Sequence, residues 1–230
     1  MKGKYLILGI ICIMLTFTSC IISGEKLKQL TPNSKFDTIR IFNNIEVVMT
    51  PGENVSYLVS GSDRAKTKLR IGIEGDALAI TAAGLRGSEK LSVYLTAPMP
   101  GSIHTFNNAS FALDGSADTK DLELEAWNSS IITINQNITA KEVSVSAFNN
   151  SKIDIKSVVA DNLNIEAANN AIINISGKVK YVTKSVMNGA VVNTEHLSDT
   201  LSEQSHSHDD STGTVIVYND HISLLGRLFN

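Results

Sequence analysis

Residues 148–155 read FNNSKIDI, and closely related octets stand before and after them along the chain. Each octet begins with an apolar residue and Asn, and most continue with small residues before a short run of β-strand character. Five octets follow one another at nearly equal intervals, and a sixth stands roughly three periods before the first of these. They are FNNIEVVM from Phe42, FNNASFAL from Phe106, WNSSIITI from Trp127, FNNSKIDI from Phe148, ANNAIINI from Ala168 and MNGAVVNT from Met187. A period of about 20 residues predicts a solenoid whose coils bury their apolar sides on one another.

The alternation within each period favours a β-helix over a leucine-rich repeat, which needs a Leu-dominated consensus and a helix or turn segment. Apolar and polar residues alternate in two runs per period, as in a strand that is buried on one face. The first run is Leu122, Leu124, Ala126, then Val143, Val145, Ala147, then Leu163, Ile165, Ala167; the second is Ile132, Ile134, then Ile153, Ile155, then Ile173, Ile175. The prediction is an all-β, parallel β-helix-like solenoid with coils of about 20 residues.

The recurrent Asn explains how the chain turns between the two runs. Asn tolerates left-handed backbone angles better than other non-glycine residues, so it suits a sharp turn that every coil repeats. Its stacked side-chain amides would hydrogen-bond along the column, as in Asn ladders of cross-β assemblies. A ligand-binding strip is the alternative, and we favour the structural role because the turn itself requires such residues. The predicted turn ladder is Asn107, Asn128, Asn149, Asn169 and Asn188.

The region before the regular repeats predicts antiparallel hairpins that cap the first coil. A hairpin turn is expected at Glu74, Gly75 and Asp76, between the alternating pairs Ile71/Ile73 and Leu78/Ile80. No composition shift divides residues 36–230, which are therefore expected to form a single domain.

The N-terminus follows a different pattern. Lys2 and Lys4 precede a short apolar run that ends near Cys20, and this run is too short to span a bilayer comfortably. Residues 1–19 are predicted to be a lipoprotein signal peptide, and Cys20 the lipidated first residue of the mature chain. Residues 20–35 would then form a tether, and the membrane would be a partner through the lipid. The expected location is the cell envelope, as an exported outer-membrane lipoprotein.

Composition excludes several function classes. The formal net charge of −3 and the lack of a basic run beyond the N-terminus argue against nucleic-acid binding. The sequence contains no phosphate loop, dinucleotide fingerprint or Cys-based metal site, so no cofactor is predicted.

Two groups of residues have catalytic or metal-binding chemistry. Glycan-acting enzymes also use β-helices, and Glu123, Glu125, Asp154 and Glu166 could supply paired carboxylates. Outward acids on a solenoid are far more often a solvated face, and residues 101–200 contain no Arg, so no catalytic residue is predicted. His206, His208 and Asp209 are candidate metal ligands, but their polar segment SEQSHSHDDSTG is typical of a hydrated loop, and no metal site is predicted there.

The order of the motifs resembles the DUF2807 family, named for an auto-transporter adhesin, head GIN domain. The resemblance covers roughly residues 36–200: FDTIRIFNNIEV at 36–47, GDALAI at 75–80, VYLTAP at 93–98, and then the serial motif, with NNS or NSS where relatives often have SGS. It implies a right-handed parallel β-helix-like fold in a protein that is secreted or lipid-anchored. Together with the residues, it predicts a non-enzymatic envelope lipoprotein whose β-helical surface binds a protein or glycan. A glycan-acting enzyme and a purely structural envelope component are the alternatives.

Overall fold

The computed structural model describes residues 29–85, 89–198 and 200–208, and for residues 202–208 it describes the backbone only. Within these residues the chain forms fifteen strands and one short helix, α1 (Asp63–Lys66). The strands are β1 (Thr38–Phe42), β2 (Ile45–Pro51), β3 (Ser56–Gly61), β4 (Leu69–Glu74), β5 (Ala77–Ala82), β6 (Leu91–Ala97), β7 (Ser102–Phe106), β8 (Ser110–Leu113), β9 (Ala117–Asp118), β10 (Asp121–Trp127), β11 (Ile131–Phe148), β12 (Lys152–Ala168), β13 (Ile172–Met187), β14 (Val191–Ser198) and β15 (Ser202–His208).

From β7 onward the chain winds into a β-solenoid in which each coil pairs in parallel with the coil before it. Leu122 pairs with Val143, Val143 with Leu163, Leu163 with Val182 and Val182 with Glu203, so successive partners are 21, 20, 19 and 21 residues apart. The predicted all-β solenoid, with coils of about 20 residues, is confirmed.

The N-terminal end carries the antiparallel pairs. β4 pairs with β5 in a hairpin that brings Ile71 opposite Ile80 and Ile73 opposite Leu78, with Gly75 in the turn at φ 63°. β3 pairs antiparallel with β6, and β3 and β4 occupy the two ends of the main strand order. The predicted antiparallel region is therefore confirmed, and it covers both sheet edges at this end of the solenoid.

Each full coil has three paired sides, one more than the two alternating runs predicted. Between the two expected runs, Ile138 and Ala140 pair with Val158 and Ala160 in the next coil, and all four are buried. The prediction of two runs was incomplete because this third side contributes only two inward residues per coil, a pattern too short to distinguish from a turn.

One corner of the cross-section accounts for the shortening of the coils from β11 to β13, and at the same corner β14 regains one residue relative to β13. In the β11–β12 pair the register shifts between Ile134 and Asn137, and in the β12–β13 pair it shifts between Ile155 and Val158. At each of these bulges the earlier coil has one more residue than the later coil. The repeat therefore shortens by a single residue at each bulge, and the pairing on either side is undisturbed.

The core is a set of apolar columns along the solenoid axis. The inward residues of both predicted runs are at most 3% exposed, and the columns continue through β2, β6 and β8. Lys184 interrupts one column: it is 2% exposed, follows Leu124, Val145 and Ile165 in register, and donates a 2.8 Å hydrogen bond to Thr194 Oγ1. A buried amine needs such a partner, because losing hydration without one is costly.

The segment SEQSHSH was expected to be a loop, and this expectation was wrong for residues 202–208. They form β15, which pairs in parallel with the last part of β13 from Tyr181 to Met187. Because the preceding coil supplies the backbone partners, a segment without apolar alternation can still extend the sheet. Among the helices that the structure describes, none has the length and apolar character to cross a membrane.

Candidate functional site

The Asn turns separate two sides of every coil. Each turn consists of two successive residues in the left-handed region, with φ between 51° and 70° at both positions. The six turns begin at Asn43, Asn107, Asn128, Asn149, Asn169 and Asn188. Within the described chain, every non-glycine residue with positive φ belongs to one of these turns. The turn geometry therefore explains the choice of Asn, and of Gly189 at the second position of the last turn.

Hydrogen bonds join the five predicted ladder residues into one continuous column. Each Nδ2 donates to the Oδ1 of the preceding coil, over 3.0 Å from Asn128 to Asn107, 3.0 Å from Asn149 to Asn128, 2.8 Å from Asn169 to Asn149 and 2.9 Å from Asn188 to Asn169. Asn107 extends the column to Asn43 over 3.4 Å. Since each interior amide uses a donor and an acceptor within the column, its geometry fits a structural role.

Two buried serines support these turns from inside. Ser151 Oγ accepts from the backbone N–H of Phe148 at 2.9 Å and donates to the Ala126 carbonyl of the coil before at 2.8 Å. Ser130 makes the matching bonds to Trp127 and Thr105. The sequence interpretation missed this role. The feature that could have indicated it is the Ser directly after the two turn residues, which occurs in only two of the repeats, at Ser130 and Ser151.

A column of aromatic side chains borders the turn on its other side. Phe42 stacks on Phe106 with ring centroids 4.9 Å apart, and Trp127 stacks on Phe148 at 4.1 Å. Phe106 and Trp127 are half-buried, so part of each ring contacts solvent. Stacked rings stabilise neighbouring coils and leave aromatic edges at the surface.

Beside the aromatic column lies a patterned polar surface, which we call the polar face. It consists of outward side chains from β7, β10 and the last parts of β11, β12 and β13, held in two parallel rows by the strand register. The rows are Ser102, Glu123, Ser144, Asn164 and Thr183, and His104, Glu125, Ser146, Glu166 and Ser185.

One end of the polar face gathers an imidazole and two carboxylates. His104 Nε2 lies 3.4 Å from Glu123 Oε2, and His104 Nδ1 lies 4.0 Å from Glu125 Oε2. Ser102 Oγ donates to Glu123 Oε2 over 3.0 Å, and the Trp127 indole N–H donates to Glu125 Oε2 over 3.3 Å. Both carboxylates are thus oriented by neutral donors on the same face.

The acids of the polar face influence one another. Burial, and after it the negative charge of Glu125, raises the pKa of the Glu166 carboxyl above its ordinary value. The Cα atoms of Glu125 and Glu166 are both in register with Ser146, one coil to either side. The charge of Glu125 therefore disfavours ionisation of a second carboxyl two coils further along the polar face.

The remaining predicted residues are only partly described. Cys20 and Asp209 lie outside the described residues, as do residues 1–28. The backbone of His206 and His208 lies in β15, where it pairs with Ser185 and Met187. Of the four acids considered for catalysis, Glu123, Glu125 and Glu166 share the polar face, whereas Asp154 lies on another side, paired with Lys152 at 2.8 Å.

Comparison with known proteins relates the chain to one family. The family model described as "Putative auto-transporter adhesin, head GIN domain" (DUF2807) matches residues 35–220. No curated protein matches the sequence.

Three of the solved structures that share this fold come from Parabacteroides. A putative adhesin from Parabacteroides distasonis ATCC 8503 aligns with TM-score 0.68 and 13% identity over 80% of this chain and 79% of its own. A putative adhesin from Parabacteroides merdae ATCC 43184 aligns with TM-score 0.65 and 12% identity over 80% and 77%. A putative lipid binding protein from Parabacteroides distasonis ATCC 8503 aligns with TM-score 0.65 and 14% identity over 71% of each chain. At these identities the likeness concerns the fold.

Proposed function

The chain belongs to the DUF2807 family of putative auto-transporter adhesin, head GIN domains, and we propose that it is a non-enzymatic, lipid-anchored protein of the cell envelope that binds glycans on its polar face. The family description supports an exposed, adhesive role. The choice of ligand class and of surface depends on the chemistry of the outward side chains.

The observation that carries the proposal is the two-row pattern of hydroxyls, amides and carboxylates on the polar face. Adjacent coils in a parallel sheet lie about 4.8 Å apart, so these groups form a regular array of hydrogen-bonding partners. Sugar hydroxyls hydrogen-bond to such groups, and the solvent-exposed parts of the half-buried Phe106 and Trp127 add apolar contact surface beside them. A protein partner is a poorer fit, because the centre of a protein interface is depleted of charged residues and the polar face is not.

The arrangement of the acids favours binding over catalysis. Glu123 and Glu125 project from the same side of one strand, on an open sheet surface. A glycosidase needs two carboxylates on either side of the scissile bond, with one of them held in a position to protonate the leaving group. An open sheet surface with two neighbouring acids on one strand suits the binding of a glycan chain that lies across the strands.

The position of the N-terminal segment supports membrane anchoring. The Val55 N–H donates to the Pro32 carbonyl over 3.0 Å, so residues 29–35 join the domain beside the start of β3. From Cys20 to Gln29 the chain advances nine residues, which span at most about 30 Å. A lipid on Cys20 would hold the N-terminal end of the solenoid close to the membrane, with the coils and the polar face extending from it.

Anchoring predicts a specific effect of removing Cys20. The Cys20→Ser variant should lose acyl labelling and leave the membrane fraction, because the acyl chains supply the membrane affinity. Cys12→Ser changes the other cysteine, within the apolar part of the signal, and should retain both properties. Palmitate labelling with membrane fractionation measures the outcome, and full membrane association of Cys20→Ser would refute the lipid anchor.

The ligand class is tested with purified residues 21–230, the mature chain without Cys20, on a glycan array, followed by analysis of each bound glycan for cleavage. We expect saturable binding without new reducing ends or unsaturated products. Turnover of a bound glycan would show that the protein is an enzyme. If no glycan binds, the proposal fails and a structural envelope role becomes the better interpretation.

A further inference from the structure

The cluster of His104, Glu123 and Glu125 contains the donor atoms of a metal site. The three residues come from two adjacent strands, β7 and β10, and their potential ligand atoms all lie within 4.8 Å of one another. His104 is half-buried, with a side-chain exposure of 17%, which limits the rotamers that its imidazole can adopt. One imidazole nitrogen and two carboxylate oxygens form a ligand set that suits zinc and similar divalent ions.

The distance between the first two donors agrees with this chemistry. Zinc binds imidazole nitrogen at about 2.0–2.1 Å and carboxylate oxygen at about 2.0–2.2 Å in tetrahedral geometry, which separates two such donors by about 3.4 Å. The His104 Nε2 to Glu123 Oε2 distance is 3.4 Å. The two atoms already have this separation as a hydrogen-bonded pair, and sharing one ion requires the imidazole and both carboxylates to turn toward it.

The surroundings hold the ligands in place, as the outer shell of a metal site does. The hydrogen bonds from Ser102 to Glu123 and from Trp127 to Glu125 orient the two carboxylates. Outer-shell donors of this kind fix ligand geometry in metal sites and contribute to affinity.

The charge balance of the cluster also favours a cation. Among the described residues, Glu123 and Glu125 form ion pairs with His104 and with no Lys or Arg. By contrast, the acids that pair with a Lys include Asp121, Asp154 and Asp161. Arg40 is in register with His104 on the neighbouring strand, and no ion pair links it to either glutamate.

We infer that His104, Glu123 and Glu125 bind a divalent transition-metal ion, zinc in the first instance, with the remaining coordination position open to water on the polar face. This inference goes beyond glycan binding and does not depend on it, since the ion is bound by the protein alone. An open position at the surface would also let the bound ion accept an oxygen ligand.

Isothermal titration of chelator-treated residues 21–230 with zinc sulfate, in the absence of any glycan, tests the site. We expect one equivalent bound at this site in the wild type and an affinity lower by roughly tenfold or more in His104→Gln. Glu123→Gln keeps the size of the side chain but removes its charge, and should weaken zinc binding similarly. Circular dichroism of both variants should match the wild type, because both side chains point outward from the sheet and neither belongs to the core.

Two controls separate this site from other histidines. His196→Gln changes a histidine next to Glu195 on another side of the solenoid and should leave zinc binding unchanged. The double variant His206→Gln/His208→Gln removes the histidines of the SEQSHSH segment. It should still bind the zinc ion whose binding is weakened in His104→Gln. The inference is overturned if wild type binds no zinc, if His104→Gln binds as tightly as wild type, or if only the double variant loses this equivalent.

Discussion

Replacing Gly177 with alanine is expected to destabilise the later coils by about 4 kcal/mol or more, which is at the severe end for a single substitution. Gly177 has φ 140°, and it pairs with Val158 at the corner where the coils shorten. A Cβ at this position would lie 2.0 Å from the Val158 carbonyl oxygen and 2.5 Å from its nitrogen. These are backbone atoms of the preceding coil, so the clash can be relieved only by separating the two strands.

The measurement is urea unfolding monitored by circular dichroism, with hydrogen exchange to locate the change. Exchange should accelerate first in β13 and β14, because the coils of a solenoid depend mainly on their neighbours. Gly75→Ala is the matched control: its φ is 63°, and an added Cβ meets nothing within 4 Å. It should cost only about 1–2 kcal/mol, from left-handed strain alone. Equal effects of the two variants would contradict the assignment of Gly177 to a tight backbone contact.

Substituting Asn149 with valine should cost roughly 3 kcal/mol, from backbone strain and lost hydrogen bonds together. The residue has φ 57°, where a β-branched side chain is strained by about 1–2 kcal/mol. Valine also removes the hydrogen bonds to Asn128 and from Asn169, each with a net value of about 1 kcal/mol. Because Asn149 occupies the middle of the ladder, both neighbouring coils lose a contact.

Asn149→Gly separates the two contributions. Glycine adopts the left-handed conformation without strain and cannot make the ladder bonds, so its cost should be about 2 kcal/mol. The urea concentration at the unfolding midpoint is therefore expected to be highest for the wild type, lower for Asn149→Gly and lowest for Asn149→Val. If valine were tolerated as well as glycine, the left-handed turn would not be the reason for asparagine at this position.

Much of the fold could be predicted because the repeat determines it. Period, alternation and turn chemistry agree from Phe106 to Met187, and each depends on local sequence. The β4–β5 hairpin was predictable for the same reason, since Glu74, Gly75 and Asp76 combine a turn signal with alternating flanks. Where local and long-range requirements agree, the sequence pattern is a reliable guide.

Other features depend on contacts that a single stretch of sequence does not contain. The third side of each coil has too few inward residues to form a pattern, and β15 pairs through its backbone without apolar alternation. Lys184 occupies a core column that its own segment would not predict, because Thr194 of the next coil supplies its partner. In each case the decisive neighbour belongs to another strand segment, outside the stretch of sequence in which the pattern was sought.

The candidate site shows the same division. The ladder asparagines could be selected from the repeat, since all five occupy one position in it. The polar face could not, because its residues differ in every coil and become a surface only when the register stacks them. His104 in particular precedes the first regular octet, and the two glutamates lie one coil later, on the strand that pairs with β7. Their proximity is a consequence of coil length.

The most direct test of the account is a binding titration with the glycan that gives the strongest array signal, using two variants of the same strand. Ser146→Arg places a large side chain at the centre of the polar face, and Thr133→Arg places the same side chain outward on another side of β11. We predict that Ser146→Arg weakens binding at least tenfold and that Thr133→Arg changes it less than twofold. Equal affinity of Ser146→Arg and wild type, or an equal loss in both variants, would contradict glycan binding by the polar face.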